Sequence, residues 1–187
     1  GQVYARPYFN IDGQVFYILD DVPRAASYNI CNFTIPGERP LSLAMPAPPL
    51  FAQNPAAPAV RNFDGVVSTT VTVNRNLMDF YTNYPPCHWS VYAATALTAP
   101  VCGQLYPPLR AAVAGKGERE AAELLLHYLH RAFPYKTDEA QFGIERTLFA
   151  EEMYYYPYSD CEDRSILFAR LVKDLLDGKE VIKKAMT

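Results

Sequence analysis

The side chain best suited to catalysis is Cys161, which lies in the segment YSDCEDR at residues 158–164. Ser159 and Glu162 have the S-x-x-E spacing of a capping box, which predicts that a helix begins here. Cys161 then falls in the first turn, where unpaired backbone N–H groups and the positive end of the helix favour a thiolate. Because the thiolate is the form that attacks a carbonyl carbon, the spacing indicates a nucleophile.

The acidic neighbours of Cys161 argue against this interpretation. Asp160, Glu162 and Asp163 place three negative charges beside the thiol, and like charges disfavour a thiolate. The conflict is smaller if these acids cap backbone donors, pair with Arg164 or hold a cation. The alternative is a capped structural helix with an inert cysteine, and the spacing alone leaves both interpretations open.

The second part of the chain supplies the helices that would position Cys161. Apolar residues recur at helical spacing over 118–133 and 161–176, which predicts two amphipathic helices that end at Pro134 and Gly178. The other predicted segments of this part are a short helix that has Pro107 and Pro108 near its start and runs to about Ala114, a turn-rich connection over 135–148 and a brief helix at 150–155.

The first part of the chain is predicted to be rich in β-structure. Residues 3–9 and 14–20 are β-branched and aromatic and flank the turn-forming sequence Asn-Ile-Asp-Gly, which predicts a hairpin. The other predicted segments are strands at 28–35 and 66–73, a long proline-rich surface loop over 36–58, a short helix at 76–84, and a strand at 89–97 whose sequence also suits a helix.

Charge separates these two parts of the chain. Residues 1–100 contain 11 charged side chains and no lysine, whereas residues 101–187 contain 26 charged side chains. We therefore predict an α+β fold with a β-rich N-terminal domain at residues 1–100 and a helical domain at residues 101–187.

The overall composition excludes several classes of protein. The 187 residues are 50% hydrophobic and carry a net charge of −3, which suits a folded core rather than a disordered chain. A pI near 5.6 lacks the basic character of a nucleic-acid-binding protein, so no nucleic-acid partner is expected. No apolar run approaches the length of about 18 residues that a membrane span needs. The four cysteines contain no CxxC pair, which argues against a zinc module.

Five sequence blocks lie in order around Cys161: FPYKTD (133–138), QFG (141–143), LFAEE (148–152), YPYSDCEDR (156–164) and SILF (165–168). On these blocks, residues from about 118 to 176 resemble the transglutaminase-like, or papain-like, superfamily. Ser159 stands where many members have glycine, and residues 1–100 are similar to the region that precedes this domain in proteins of Bacteroidetes. The resemblance implies the helical half of such a domain, with Cys161 at the nucleophile position of the core helix.

The family chemistry that this resemblance implies needs more residues than the chain supplies. Active members use a cysteine, a histidine and an aspartate, in that order, to cleave or exchange amide bonds through a thioester. Here His88, His127 and His130 all precede Cys161, and residues 180–187 contain neither histidine nor aspartate. We therefore expect a truncated domain, inactive by itself, whose parent is a cysteine hydrolase or transferase acting on protein or peptide amides.

The alternative function is a non-catalytic structural or protein-interaction module of the cell envelope. The resemblance implies a periplasmic or extracellular location in either case. In calcium-dependent periplasmic members, acids at similar positions contribute calcium ligands, so Asp160 and Glu162 are calcium candidates, and no other cofactor is expected. In that compartment Cys87 and Cys102 are either bridged or two free buried thiols. Gln141 is interpreted as a turn residue rather than an oxyanion donor.

Overall fold

The computed structural model describes residues 8–11, 14–17 and 42–176 of the chain. In these ranges four strands form two antiparallel pairs, β1 (Tyr8–Ile11) with β2 (Gln14–Tyr17) and β3 (Ala59–Phe63) with β4 (Val67–Val71). The helices of the same ranges are α1 (Arg75–Thr82), α2 (Trp89–Ala94), α3 (Ala99–Val113), α4 (Glu118–Ala132), α5 (Asp138–Phe142) and α6 (Cys161–Leu175). A 3₁₀ segment (Ala150–Tyr154) lies between α5 and α6. The α+β class is confirmed.

The predicted hairpin and the strand predicted at 66–73 agree with the structure where they can be compared. The strands β1 and β2 lie within the predicted hairpin, and β4 lies within the strand predicted at 66–73. Alternate side chains of β4 are buried, as expected for a strand with one face on the core. Its partner β3 was not predicted. The strand predicted at 28–35 and the helix end predicted at Gly178 lie outside the described residues.

The prediction of a strand at 89–97 is wrong, because this segment begins with the helix α2. The Nδ1 atom of His88 accepts a hydrogen bond from the backbone N–H of Ser90 at 3.3 Å and so caps the first turn. At the other end, the guanidinium of Arg170 donates to the carbonyl oxygen of Ala94 at 3.2 Å. Both contacts satisfy backbone groups that a short helix leaves unpaired.

The predicted start of α3 is also wrong, because the helix begins at Ala99 and contains Pro107 and Pro108 in its interior. Each proline removes a backbone hydrogen bond from the helix. The helix packs against β4, and Val101, Leu105 and Leu109 are almost completely buried on that side. Burial of these side chains offsets the weaker backbone pairing.

A single hydrophobic core contains side chains from both sides of residue 100. Phe149 lies at its centre, where its ring stacks on Tyr81 with 4.2 Å between centroids and contacts Tyr92 at 4.6 Å. Leucines of α3, α4 and α6 contribute to this core, and those that are fully buried include Leu105, Leu125, Leu129 and Leu167. The packed interior of residues 42–176 therefore shows no division at residue 100.

Arg61 connects β3 to the segment that precedes α6. Its guanidinium donates to the carbonyl oxygens of Met153 at 3.1 Å and Tyr156 at 2.9 Å, and it lies over the ring of Phe133 at 4.9 Å from the centroid. The hairpin of β3 and β4 is thus tied directly to the 3₁₀ segment.

A chain of buried hydroxyl groups crosses the core between β4, α4 and the 3₁₀ segment. The hydroxyl of Tyr128 lies 2.6 Å from the Oγ1 atom of Thr69 and 3.0 Å from the hydroxyl of Tyr154. Replacing Tyr128 with phenylalanine is expected to lower the free energy of unfolding by about 1–2 kcal/mol, because it leaves two buried hydroxyls short of a partner.

Urea denaturation of the wild type and the Tyr128→Phe variant measures this loss. Tyr155→Phe is the matched control, since Tyr155 is partly exposed and its ring lies at the surface. A loss that is equal in the two variants would contradict a stabilising role for the hydroxyl chain.

None of the helices among the described residues combines the length and the hydropathy needed to cross a membrane.

Candidate functional site

The loop that leads into Cys161 is held against the chain that leaves α4. The backbone N–H of Ser159 donates to the carbonyl oxygen of Pro134 at 3.2 Å, and the N–H of Lys136 donates to the carbonyl of Ser159 at 3.2 Å. These two bonds form a parallel bridge between Tyr135 and Ser159. The position of Cys161 is therefore fixed by a segment about 25 residues earlier in the chain, which no local sequence pattern reveals.

Arg164 strengthens the same junction. Its guanidinium donates to the carbonyl oxygen of Phe133 at 2.7 Å and to the hydroxyl of Ser159 at 3.3 Å, and it lies over the ring of Tyr135 at 5.2 Å. Within residues 42–176 no ion pair joins Arg164 to the acids around Cys161. Of the three roles considered for those acids, pairing with Arg164 is thus not observed.

The helix cap at Cys161 is displaced by one residue from the predicted capping box. Asp160 is the N-cap, and its Oδ1 atom accepts from the backbone N–H groups of Glu162 at 2.9 Å and Asp163 at 3.1 Å. Asp163 completes the box by accepting from the N–H of Asp160 at 3.2 Å. Ser159 and Glu162 have the same spacing as Asp160 and Asp163, so the sequence alone could not distinguish the two boxes.

Asp163 also reaches beyond its own helix. It is completely buried, and its Oδ1 atom accepts from the backbone N–H of Leu148 at 2.9 Å. Burial raises the pKa of the Asp163 carboxyl group to about 7. Asp163 therefore connects the first turn of α6 to the irregular segment that leads into the 3₁₀ segment.

Asp138, Asp160 and Asp163 form a cluster of carboxyl groups, and one oxygen atom from each lies within 4.8 Å of the others. Asp138 is the first residue of α5 and is 2% exposed. Its Oδ2 atom accepts from the backbone N–H of Arg146 at 2.9 Å, whereas its Oδ1 atom is buried and has no partner among the described residues. Burial raises the pKa of Asp138 to about 6. The donor set of this cluster could bind a metal ion.

The predicted calcium ligands were Asp160 and Glu162, and only Asp160 belongs to this carboxyl cluster. Glu162 lies outside the cluster and instead accepts a hydrogen bond from the hydroxyl of Thr147 at 3.1 Å. Asp138 and Asp163 are the carboxyl groups that accompany Asp160. Asp138 belongs to the FPYKTD block at 133–138, but the sequence alone gave no reason to place it beside Asp160.

Cys161 itself is exposed as the first residue of α6. A negative charge on its sulfur raises the pKa of the Tyr135 hydroxyl, because the two side chains are close neighbours at the surface. Tyr135 is a site residue that the sequence analysis did not identify. The only signal available for it was its place in the FPYKTD block.

Neither the histidines nor Gln141 completes a catalytic group with Cys161. His127 and His130 are exposed on α4, and His88 caps α2; no hydrogen bond within residues 42–176 joins a histidine to Cys161. Gln141 lies in the short helix α5, where a turn was predicted, and its side-chain amide donates to the carbonyl of Tyr158 at 3.3 Å.

Cys87 and Cys102 are free, partly buried thiols, so the bridged alternative is wrong. Burial raises the pKa of both thiols. They are therefore less reactive than an exposed cysteine at neutral pH.

A buried ion pair lies behind the site. Glu152 is fully buried, pairs with the guanidinium of Arg146 and accepts from the backbone N–H of Phe149 at 2.9 Å. Arg146 also donates to the hydroxyl of Tyr156 at 2.8 Å. Burial raises the pKa of Glu152, and the charge of Arg146 partly offsets this effect. The pair links two parts of the segment between α5 and α6.

No protein-family model, curated protein or solved structure matches this chain. A functional proposal therefore depends on the residues and geometry of the site and on the resemblance of the sequence blocks around it.

Proposed function

We propose that this chain is part of a transglutaminase-like protein and that Cys161 is the thiol nucleophile of the complete parent. The observation that carries the proposal is the position of Cys161, which is exposed at the first residue of a capped and buried helix. Such a position aligns the thiol with the positive end of the helix. The ordered blocks between residues 133 and 168 support the same proposal.

In the proposed reaction, the thiolate of Cys161 attacks the carbonyl carbon of a protein or peptide amide and forms a C–S bond. Collapse of the tetrahedral intermediate breaks the C–N bond, and the amine leaves with a proton from the general acid. Water or a second amine then releases the acyl group from the thioester. The two acceptors correspond to hydrolase and transferase activity.

The proposal places the general base and its orienting acid in the parent protein, as a histidine and an aspartate beyond Thr187. No contact within residues 42–176 offers Cys161 a histidine, so this chain is expected to be inactive alone. By the same resemblance, we place the parent in the periplasm or outside the cell.

The second candidate function is a non-catalytic module of the cell envelope, in which α6 is only a scaffold. Two observations favour it: no histidine bonds to Cys161 within the part of the chain that the structure describes, and Asp160 and Asp163 act as helix caps. In this case the thiol has no function, and a Cys161→Ala variant behaves like the wild type.

Iodoacetamide labelling near pH 7 tests the proposal. We expect Cys161 to be alkylated before Cys87 and Cys102, because it is exposed while burial raises the pKa of the other two. We further expect its rate to exceed that of the same cysteine in the urea-unfolded chain by about tenfold, which corresponds to activation of about 1.4 kcal/mol by the fold.

Peptide mass spectrometry assigns the labelled residue, and Cys161→Ala is expected to remove the fast phase. Lys173→Ala is a control at an exposed position in the last turn of the same helix and is expected to leave the rate unchanged. A rate for Cys161 that is no faster in the folded chain than in the unfolded chain would favour the non-catalytic module.

A further inference from the structure

We propose that a cavity beside the start of α3 binds a small organic cation, in which a primary ammonium group is carried on an apolar body and Glu151 is the counter-charge. The proposal goes beyond the thiol chemistry and does not depend on it. None of the described residues that line this cavity belongs to the loop or the helix that carries Cys161. An amine bound here is therefore not placed to accept an acyl group from the thiol.

The cavity lies between the proline-rich segment at residues 47–55 and the start of α3. Its volume is about 290 Å³, which is close to the lower end of the range for small-molecule sites in proteins. Val73, Leu77 and Val101 form part of its wall, and all three side chains are almost completely buried. The size and the lining therefore suit a small ligand with an apolar body.

Two large apolar side chains of the proline-rich segment line the cavity and are themselves exposed. Leu50 is 99% exposed and Phe51 is 37% exposed. Exposed apolar side chains at a concave surface are typical of ligand-binding sites. The cavity is therefore reachable from solvent on this side, and an apolar ligand here would cover part of both side chains.

Glu151 supplies the negative charge of the cavity lining. It is 2% exposed, and its two carboxylate oxygens accept from the backbone N–H and the hydroxyl of Thr98, each at 2.9 Å. These two donors hold the carboxylate in one orientation but carry no positive charge. Each carboxylate oxygen has two lone pairs, so each can accept a further hydrogen bond.

No ion pair within the described ranges neutralises Glu151. The adjacent Glu152 takes the guanidinium of Arg146 as its own partner. Burial raises the pKa of the Glu151 carboxyl group, and the two hydrogen bonds that it accepts offset only part of this effect. Because a buried carboxylate without a counter-charge is costly, a ligand cation that reaches it gains a charge-assisted hydrogen bond.

The apolar wall and the buried carboxylate together select one class of ligand. An ammonium group offers three donors and a positive charge, as the lysine side chain does. A neutral alcohol gains the apolar contacts without the charge, and a carboxylate ligand is repelled by Glu151. Phenethylamine has both required parts and is protonated near pH 7, so it is the probe for this site.

Titration of the isotope-labelled whole chain with phenethylamine near pH 7, followed by NMR, tests the proposal. We expect one site with a dissociation constant of about 0.1–1 mM, an affinity typical of a ligand of this size. The amide signals of Val73 and Thr98 are expected to shift, since both residues line the cavity. Phenethyl alcohol, which has the same shape without the charge, is expected to bind about tenfold more weakly. Phenylpropanoate is expected not to bind.

Three variants locate the site and its charge. Glu151→Gln is expected to weaken phenethylamine binding about tenfold and to leave the affinity for phenethyl alcohol unchanged, because the amide can keep both contacts with Thr98. Asp79→Asn is the matched control, since it removes one negative charge from an exposed position on α1 outside the cavity lining, and it is expected to bind the amine like the wild type. Ala96→Leu is expected to weaken both ligands, because the larger side chain fills part of the cavity.

The comparison of the amine with the alcohol uses only the wild type, so it decides the question even if Glu151→Gln does not fold. Equal affinities for the two would overturn the proposal, since they indicate an apolar site without recognition of charge. An absence of signal changes up to about 10 mM phenethylamine would also overturn it, because that concentration exceeds the expected dissociation constant. Unchanged amine affinity in Glu151→Gln or Ala96→Leu has the same consequence, since the ligand then binds elsewhere. The labelling rate of Cys161 is a separate observable, so its outcome remains distinguishable from these.

Discussion

Replacing Glu152 with alanine is expected to lower the free energy of unfolding by about 3–5 kcal/mol. Glu152 is fully buried, and its carboxylate is the charge partner of Arg146, whose side chain is only 16% exposed. The variant leaves the guanidinium without a counter-charge in the interior. It also removes the acceptor of the backbone N–H of Phe149. Both effects penalise the folded state, because neither group regains water.

A double-mutant cycle measures the interaction between Glu152 and Arg146 separately from their other contacts. The four proteins are the wild type, Glu152→Met, Arg146→Met and the double variant. The double variant is expected to recover at least half of the loss measured for Glu152→Met, because it removes the uncompensated charge and replaces it with apolar volume. Urea unfolding gives the four free energies. A loss below about 1 kcal/mol for Glu152→Ala would show that the charge of Arg146 is satisfied by other contacts.

Replacing Asp163 with alanine is expected to lower the free energy of unfolding by about 2–4 kcal/mol in EGTA-containing buffer. The carboxylate accepts the backbone N–H groups of Leu148 at 2.9 Å and Asp160 at 3.2 Å, and Asp163 is completely buried. Alanine leaves one donor unpaired in the interior and removes one half of the capping box of α6. Chelation of calcium keeps any effect of ion binding out of this measurement.

Glu162→Ala is the control for Asp163, since the two acids are adjacent in the same helical turn. Among the described residues the Glu162 carboxylate accepts one hydrogen bond, from the hydroxyl of Thr147, and it is expected to contribute less than about 1 kcal/mol. Urea unfolding of both variants under the same conditions compares them. Equal losses would mean that general charge near the helix start, rather than the two buried bonds of Asp163, stabilises this region.

The long helices α4 and α6 were predictable because their buried apolar side chains recur at helical spacing in the sequence. In α4 the buried residues Ala121, Leu125 and Leu129 recur at the helical period, and in α6 Leu167 and Leu171 show the same spacing. The pattern exists because one face of each helix packs on the core. For these two helices, the local sequence pattern was therefore sufficient to predict both the helix and its buried face.

The wrong secondary-structure predictions concern segments whose structure depends on contacts with residues distant in the chain. In α2 the aromatic and β-branched residues suit a strand, but the cap from His88 and the bond from Arg170 stabilise a helix. In α3 burial against β4 overcomes two internal prolines. A short segment cannot reveal contacts of this kind.

The residues of the candidate site could likewise be predicted only where a local sequence pattern places them. The position of Cys161 in the first turn of a helix was predicted from the capping pattern, which is local. Asp138 enters the carboxyl cluster only because the chain leaving α4 is bridged to Ser159. The membership of Asp138 therefore depends on tertiary structure, whereas the family resemblance suggested Glu162 as the companion of Asp160.

The two bonds donated by Arg61 have a consequence for the order in which the chain assembles. They join residues 92 and 95 positions apart, and contacts between distant positions form late because loop closure must come first. The hairpin of β3 and β4 is thus expected to dock after α4 and α6 have paired. During synthesis it must wait until Tyr156 has emerged from the ribosome, so the segment before Cys161 becomes fixed only near the end of folding.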